Sequence, residues 1–309
     1  MGYILPQTGY NVDMEIIKVS PRGYCKGVVR AIQIAKDTAK AYPETPIYIL
    51  GMLVHNTYVK AGLEHLGIIT LEGKDREALL DQVDEGIVIF TAHGISDHIR
   101  QKAIRKGLHV IDATCPDVKR TQDLVNQHLA KGFEIFYIGK AQHPEAMAVV
   151  DGNPNVHLIT KQSDVKQLGM YDQIFVTNQT TMSIFEVADI FGAIQEKYPH
   201  AIIAEEICNA TRIRQEAIAA LQDVDTLLIV GDASSNNSKR LADIGKQNNI
   251  AHVYLVNDVL DVQKLDLTNS QRIAISSGAS TPTYLTNQVI SYLENPNLKV
   301  TTIDIDKII

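Results

Sequence analysis

Apolar, β-branched residues fall in short runs along this chain, with longer helix-like stretches between them. The runs are EIIKV (15–19), IYIL (47–50), IVIF (87–90), HVID (109–112), IFYI (135–138), IFVT (174–177), TLLIV (226–230) and RIAIS (272–276). VVRAIQIAKDTAKAY and IRQEAIAALQ are two of the intervening helix-like stretches. Short strands alternating with helices predict βαβ units and a mostly parallel α/β fold. None of the apolar runs approaches the ~18 residues that a membrane span needs. The first run begins just after Met14, so residues 1–13 read as an extension or a start-site artefact. They lack the basic and apolar regions of a secretory signal.

The pattern repeats three times. Cys25, Cys115 and Cys208 are separated by 90 and 93 residues, and each follows a strand-like run and opens a helix-like one. Each has an Arg shortly afterwards: Arg30, Arg120, and the pair Arg212 and Arg214. A second landmark is a Gly at a strand end with a polar residue four positions on, at Gly51 and His55, Gly139 and His143, and Gly231 and Ser235. A third strand-end landmark carries His93, Thr180 and Ser280. Three landmarks in the same order three times imply three pseudo-repeated α/β domains of about 90 residues. Their expected bounds are 14–108, 109–200 and 201–292, with 293–309 as a C-terminal tail. Parallel α/β units bind ligands at the carboxyl ends of their strands. Three units about a pseudo-threefold axis would therefore aim these residues at one central cavity.

Composition narrows the chemistry. The 309 residues are 45% hydrophobic and 21% charged, which is ordinary globular usage. Lys and Arg number 29 against 36 Asp and Glu, and the net charge of −7 argues against nucleic acid or anionic membranes as general partners. Trp is absent and aromatics are only 6%, so a base-stacking platform is not expected. Three cysteines in so long a chain do not make a disulfide framework, and a reducing cytoplasm is the expected compartment.

Cysteines at helix N-termini favour thiolate, and three convergent thiolates call for a metal centre. Two centres fit: zinc with three Cys and an open position, or an iron–sulfur cluster short of its fourth thiolate. The wide spacing excludes C-x-x-C sites. His55, His93, His143, Ser235, Asn237 and Ser280 are neutral or cationic donors suited to phosphate oxygens, and the run 231–238 is small, polar and donor-rich. Neither a P-loop nor a G-x-G-x-x-G fingerprint occurs, so a nucleotide site is not indicated. Glu145 is the one strand-end carboxylate of the repeated set, and enclosure would raise its pKa and make it a proton donor.

These residues resemble the LytB family of 4-hydroxy-3-methylbut-2-enyl diphosphate reductases. The resemblance runs from residue 14 to about 292. It rests on Pro21-Arg22 with Cys25 and Arg30, on Val54-His55-Asn56, on Ala92-His93-Gly94 with Ser96, and on Asp112 with Cys115-Pro116. It continues through His143-Pro144-Glu145, Gln179-Thr180-Thr181 with Ser183, Ile207-Cys208 with Thr211, Ser235 with Asn237-Ser238 and Arg240-Leu241, and Gly278 with Ser280 and Pro282. The chain departs from the family pattern at Asn236, where Ser is usual, at Gln142 and Ala148-Val149, where Gly and Gly-Thr are usual, and at Asn178.

The resemblance implies a trefoil of three α/β domains around one [4Fe–4S] cluster. Cys25, Cys115 and Cys208 would hold it, leaving one iron without a protein ligand. It implies that His55, His93, His143, Ser235, Asn236, Asn237 and Ser280 bind a diphosphate. Thr180 would hydrogen-bond the allylic hydroxyl and Glu145 would feed protons, with His143 beside it. Two electrons and two protons would yield isopentenyl and dimethylallyl diphosphate, the last step of the non-mevalonate isoprenoid pathway. The chain has no flavin or nicotinamide fingerprint, so an external carrier such as flavodoxin or ferredoxin would supply the electrons. A quinolinate-synthase-like dehydratase is the competing enzyme reading. An iron–sulfur sensor and a zinc hydrolase are the others, and the charge of −7 speaks against a DNA-binding sensor.

Overall fold

A computed structural model of the chain describes residues 14–73, 75–295 and 297–309. The expected extension at 1–13 lies outside the described residues. Strands β1 (Glu15–Lys18), β2 (Ile47–Leu50), β3 (Ile69–Leu71), β4 (Ile87–Phe90), β5 (His109–Asp112) and β6 (Glu134–Ile138) lie in the first half of the chain. β7 (Val156–Ile159), β8 (Ile174–Asn178), β9 (Ile202–Ile203), β10 (Thr226–Val230), β11 (His252–Val256) and β12 (Arg272–Ser277) lie in the second. The helices are α1 (Lys26–Ala41), α2 (Thr57–His65), α3 (Arg76–Asp81), α4 (Asp97–Arg105), α5 (Pro116–Leu129) and α6 (Pro144–Val150). After them come α7 (Ile184–Lys197), α8 (Asn209–Ala219), α9 (Asn236–Gln247), α10 (Val259–Val262) and α11 (Thr283–Glu294).

The strands form three four-stranded sheets in the orders β3-β2-β4-β5, β7-β6-β8-β9 and β1-β12-β10-β11, and every pairing is parallel. This confirms the three parallel α/β units that the pattern predicts. Strands β4, β8 and β10 are buried along their whole length, because helices cover both faces of a parallel sheet. Each sheet has its own apolar core. Leu50, Val88, Phe90 and Ile99 belong to one, Phe136, Val176, Ile194 and Tyr198 to the second, and Leu227, Ile229, Leu241 and Ala274 to the third.

The sheets are offset by one strand from the blocks 14–108, 109–200 and 201–292. β5 pairs with β4, β9 with β8, and β1 with β12. The strand leading into each cysteine thus belongs to the sheet of the other block that adjoins it. An unpaired strand edge is a liability, and the last strand of each block offers a free edge that the extra strand covers. The chain also divides into two compact units. One comprises the chain up to Tyr24, His55–Tyr58 and Ile213–Ile309, and holds the sheet with β1. The other comprises Cys25–Val54 and Val59–Arg212 and holds the other two sheets.

Candidate active site

The predicted residues sit at strand ends, and several of them cap the helix that follows. Cys25 is the N-cap of α1, and Cys115 is the N-cap of α5 with Pro116 at its first position. His143 caps α6 and Ser235 caps α9. A cap residue must leave the helical region of φ/ψ, so it stands clear of the helix beside N–H groups that lack intrahelical partners.

All three cysteines fall in the two-sheet unit, each is partly buried, and none forms a disulfide. Gly27 shows how closely two of them approach. A Cβ there would lie 2.6 Å from the Cys115 Sγ and 3.9 Å from the Cys25 Sγ. Two sulfurs therefore crowd one point that only glycine leaves open. Cys208 is held in the same unit by its N–H, which donates to the Thr180 carbonyl at 3.1 Å. Its Sγ lies 3.2 Å from the Thr211 hydroxyl. Among the described residues, no three His, Cys, Asp or Glu side chains are grouped as single-ion ligands.

The thiols differ from expectation in one respect. Burial pushes the Cys208 thiol up to about 11 and raises Cys115 too, although N–H groups at the start of α5 pull Cys115 the other way. Desolvation of the charged form outweighs the helix terminus. The donor set still fits a thiolate-bound metal centre: three thiols, free of disulfides and set at helix starts, with a cradle kept clear by Gly27. Binding there releases thiol protons.

Glu145 is the buried acid of the same unit, 1% exposed. Its Oε1 accepts the Thr180 N–H at 2.6 Å and its Oε2 accepts the Thr180 hydroxyl at 3.1 Å. Burial raises its pKa from 4.5 to about 7, and the two Thr180 bonds restrain that rise. The His143 Nδ1 accepts the Glu145 N–H at 3.2 Å, so the neutral ring carries its proton on Nε2. The rings of His93 and His143 meet edge to face at 5.6 Å. The structure thus brings His93, His143, Glu145, Thr180 and Cys208 into one chain of contacts.

The other unit holds His55, Ser235, Asn236, Asn237 and Ser280. The Ser280 hydroxyl donates to the His55 carbonyl at 3.1 Å and lies 3.5 Å from the Ser235 Oγ. Asn237 is buried, and neither its amide nitrogen nor its amide oxygen has a partner among the described residues. An unsatisfied buried amide costs about 1–3 kcal/mol and marks a place for a polar ligand.

Sequence reading missed Asp232. Its Oδ2 accepts from the Thr57 N–H and hydroxyl, both at 2.9 Å. Its Oδ1 accepts from the Ser234 N–H and hydroxyl, both at 2.7 Å. One carboxylate thus ties the His55 loop to the Ser235 loop. Asp232 lies inside the donor-rich run, but its partner Thr57 is 175 residues away, so no local pattern announces the tie. Asn178 fills a structural role, its Oδ1 accepting the Glu206 N–H at 2.9 Å.

Fold and site together define a class. It is a three-sheet parallel α/β protein that presents three disulfide-free cysteines and a buried, hydroxyl-bonded acid at strand ends. Comparison with known proteins makes the class specific. The family model described as LytB protein matches residues 16–294, and the chain belongs to that family. It is 47% identical over 291 residues to the 4-hydroxy-3-methylbut-2-enyl diphosphate reductase of Geobacillus kaustophilus (strain HTA426), covering 92% of each chain. The reductase of that name from Bacillus cereus (strain B4264) is 49% identical over 289 residues, covering 92% of this chain and 91% of the relative. Among solved structures, the E-1-hydroxy-2-methyl-but-2-enyl-4-diphosphate reductase of Plasmodium falciparum superposes with a TM-score of 0.86 at 34% identity. That match covers 92% of this chain and 89% of the other.

Proposed function

We propose that this chain is a 4-hydroxy-3-methylbut-2-enyl diphosphate reductase. It removes the allylic hydroxyl as water, consuming two electrons and two protons, and gives isopentenyl and dimethylallyl diphosphate. Family membership over residues 16–294 supports the reaction class. The single structural observation that carries the assignment is Glu145, a buried acid titrating near 7 and bonded through both oxygens to Thr180.

Cys25, Cys115 and Cys208 would hold one [4Fe–4S] cluster. When bound it supplies the electrons and, at the iron without a protein ligand, a Lewis acid. Near pH 7 about half of the Glu145 carboxyls are protonated. A proton on Oε2 faces the Thr180 Oγ1, which passes its own proton to the leaving hydroxyl. His143 keeps Nε2–H as a donor, because its Nδ1 accepts the Glu145 N–H. His55, His93, His143, Ser235, Asn236, Asn237 and Ser280 are assigned to the diphosphate oxygens. The orphaned amide of Asn237 supports that assignment most directly.

Electrons come from an external carrier such as flavodoxin or ferredoxin, and the compartment is the cytoplasm. Among the described residues no helix is long and apolar enough to cross a membrane.

The test is iron and acid-labile sulfide on protein purified without oxygen, followed by turnover with a reduced viologen dye. About four of each per chain are expected. A zinc-containing chain free of sulfide overturns the reading. Turnover of a quinolinate precursor in place of the allylic diphosphate would favour the dehydratase.

A further inference from the structure

The two-sheet unit contains a pocket that none of the assigned site residues lines. It has a volume of about 430 Å³, within the usual range for small-molecule sites. Arg76, the first residue of α3, is its cationic group. The arginine runs back over the carboxyl ends of β2 and β4. Its guanidinium rests on Gly51, where φ is +84° and a Cβ would lie 3.1 Å from Nη2. Its Nη1 lies 3.4 Å from the Thr91 hydroxyl, a long contact to a neutral group and its one hydrogen bond among the described residues.

The carboxylates around the pocket are engaged elsewhere. The Asp75 Oδ1 accepts the N–H groups of Glu77 and Ala78. Glu77 pairs with Lys102 at 2.8 Å and with His98 at 3.2 Å, and Asp151 accepts the Ser96 hydroxyl at 3.1 Å. Arg76 is partly buried and carries five N–H donors with no carboxylate partner among the described residues. Loss of water around it pulls its pKa down to about 10, as expected for a cation without a counter-charge. A buried charge is costly until it is paired.

We propose that this pocket is a second binding site, for a small organic anion with one negative charge and a short hydrocarbon body. The head group sits on Arg76. The body lies against Ile95, Ile99, Pro144 and Met147, which line the same pocket. Asp75, Glu77 and Asp151 around the lining select against polyanions such as diphosphates by repulsion. The position gives the site leverage. Gly94 follows His93, and Gln142 and Pro144 flank His143, so an occupant touches both loops that carry those histidines. Gln142 holds φ at +60°, a left-handed conformation costing about 1–2 kcal/mol, so its loop is poised to respond to a contact.

The test is calorimetry and ligand-observed NMR on the iron-loaded protein, with and without isopentenyl diphosphate in excess. The probes are isovalerate and isopentyl sulfate, both monoanions at neutral pH, which separate a carboxylate head from a sulfate head. One equivalent of at least one probe should bind, with a dissociation constant of about 1 mM or below. Arg76→Met should weaken it about tenfold or more without lowering the melting temperature, because the change removes an unpaired buried charge. Met147→Glu, at a position 39% exposed, should abolish binding while leaving Arg76 intact. The proposal is overturned if neither probe binds, if both variants bind as the wild type does, or if isopentenyl diphosphate displaces the probe. None of these readouts involves turnover, so the outcome is independent of the reductase reading.

Discussion

Replacing Thr180 by valine should shift the titration of Glu145 in a direction the structure dictates. The Thr180 hydroxyl donates to Oε2 at 3.1 Å and the Thr180 N–H donates to Oε1 at 2.6 Å. Both bonds favour the ionised carboxylate and so hold the pKa down against burial. Valine removes the hydroxyl and keeps the N–H. A hydrogen bond to a charged group is worth about 1.5 kcal/mol, or about one pH unit, so the carboxyl should titrate near 8 instead of near 7. The assay is an infrared titration of the protonated carboxyl stretch, assigned by its loss in Glu145→Gln.

Turnover follows from the same group. The wild-type rate should fall with a midpoint near pH 7, as the protonated form is lost, and Glu145→Gln should lose about 10² to 10⁴ in kcat. Stability changes with the opposite benefit. The folded pKa lies above the unfolded value of 4.5, so the folded chain holds a proton that the unfolded chain releases. Stability is then full below pH 4.5, declines as pH rises toward 7, and levels off above it, with about 3 kcal/mol lost. Gln stays neutral, so the variant should be the more stable of the two at pH 8 in urea unfolding of the cluster-free chain. A carboxyl midpoint that stays put or falls in Thr180→Val would refute the reasoning, as would near-wild-type turnover by Glu145→Gln.

Other sites make separate predictions. Gly27→Ala should keep its far-ultraviolet circular dichroism but lose most of its iron and sulfide, because the new Cβ would stand 2.6 Å from the Cys115 Sγ. Full iron content would show that the cradle tolerates a methyl group. Asp232→Asn replaces one accepting oxygen by a donor, stranding two of the four donors that join the His55 and Ser235 loops. KM should rise about tenfold with kcat near wild type, and a fall in kcat at constant KM would contradict a positioning role. Gln142→Gly relieves a left-handed residue and should add about 0.5–1 kcal/mol of stability after the extra unfolded-state freedom of glycine is subtracted. A lower melting temperature would mean that the Gln142 side chain makes contacts worth more than that strain.

The placement of much of the candidate site is legible because strand ends and helix caps are local features. A cysteine, histidine or serine after a β-branched run lands at a strand end and caps the next helix, as Cys25, Cys115, His143 and Ser235 do. Cysteine protonation is less local. A helix N-terminus is visible in sequence, but the burial that raises Cys115 and Cys208 is set by whatever packs over them. Strand pairing between blocks is hidden for a related reason. Strands β1, β5 and β9 join a neighbouring block's sheet, and hydrogen bonding across sheet edges leaves no trace in a single run.

The parallel α/β class, the threefold recurrence and the family are written in the chain itself, since they depend on periodicity, spacing and short motifs. Only folding in three dimensions sets the pairing of Glu145 with Thr180, the tie from Asp232 to Thr57 and the placing of the Arg76 guanidinium with no carboxylate beside it. Those depend on desolvation and on contacts between residues far apart in the chain, and both arise only when each sheet packs against its own helices.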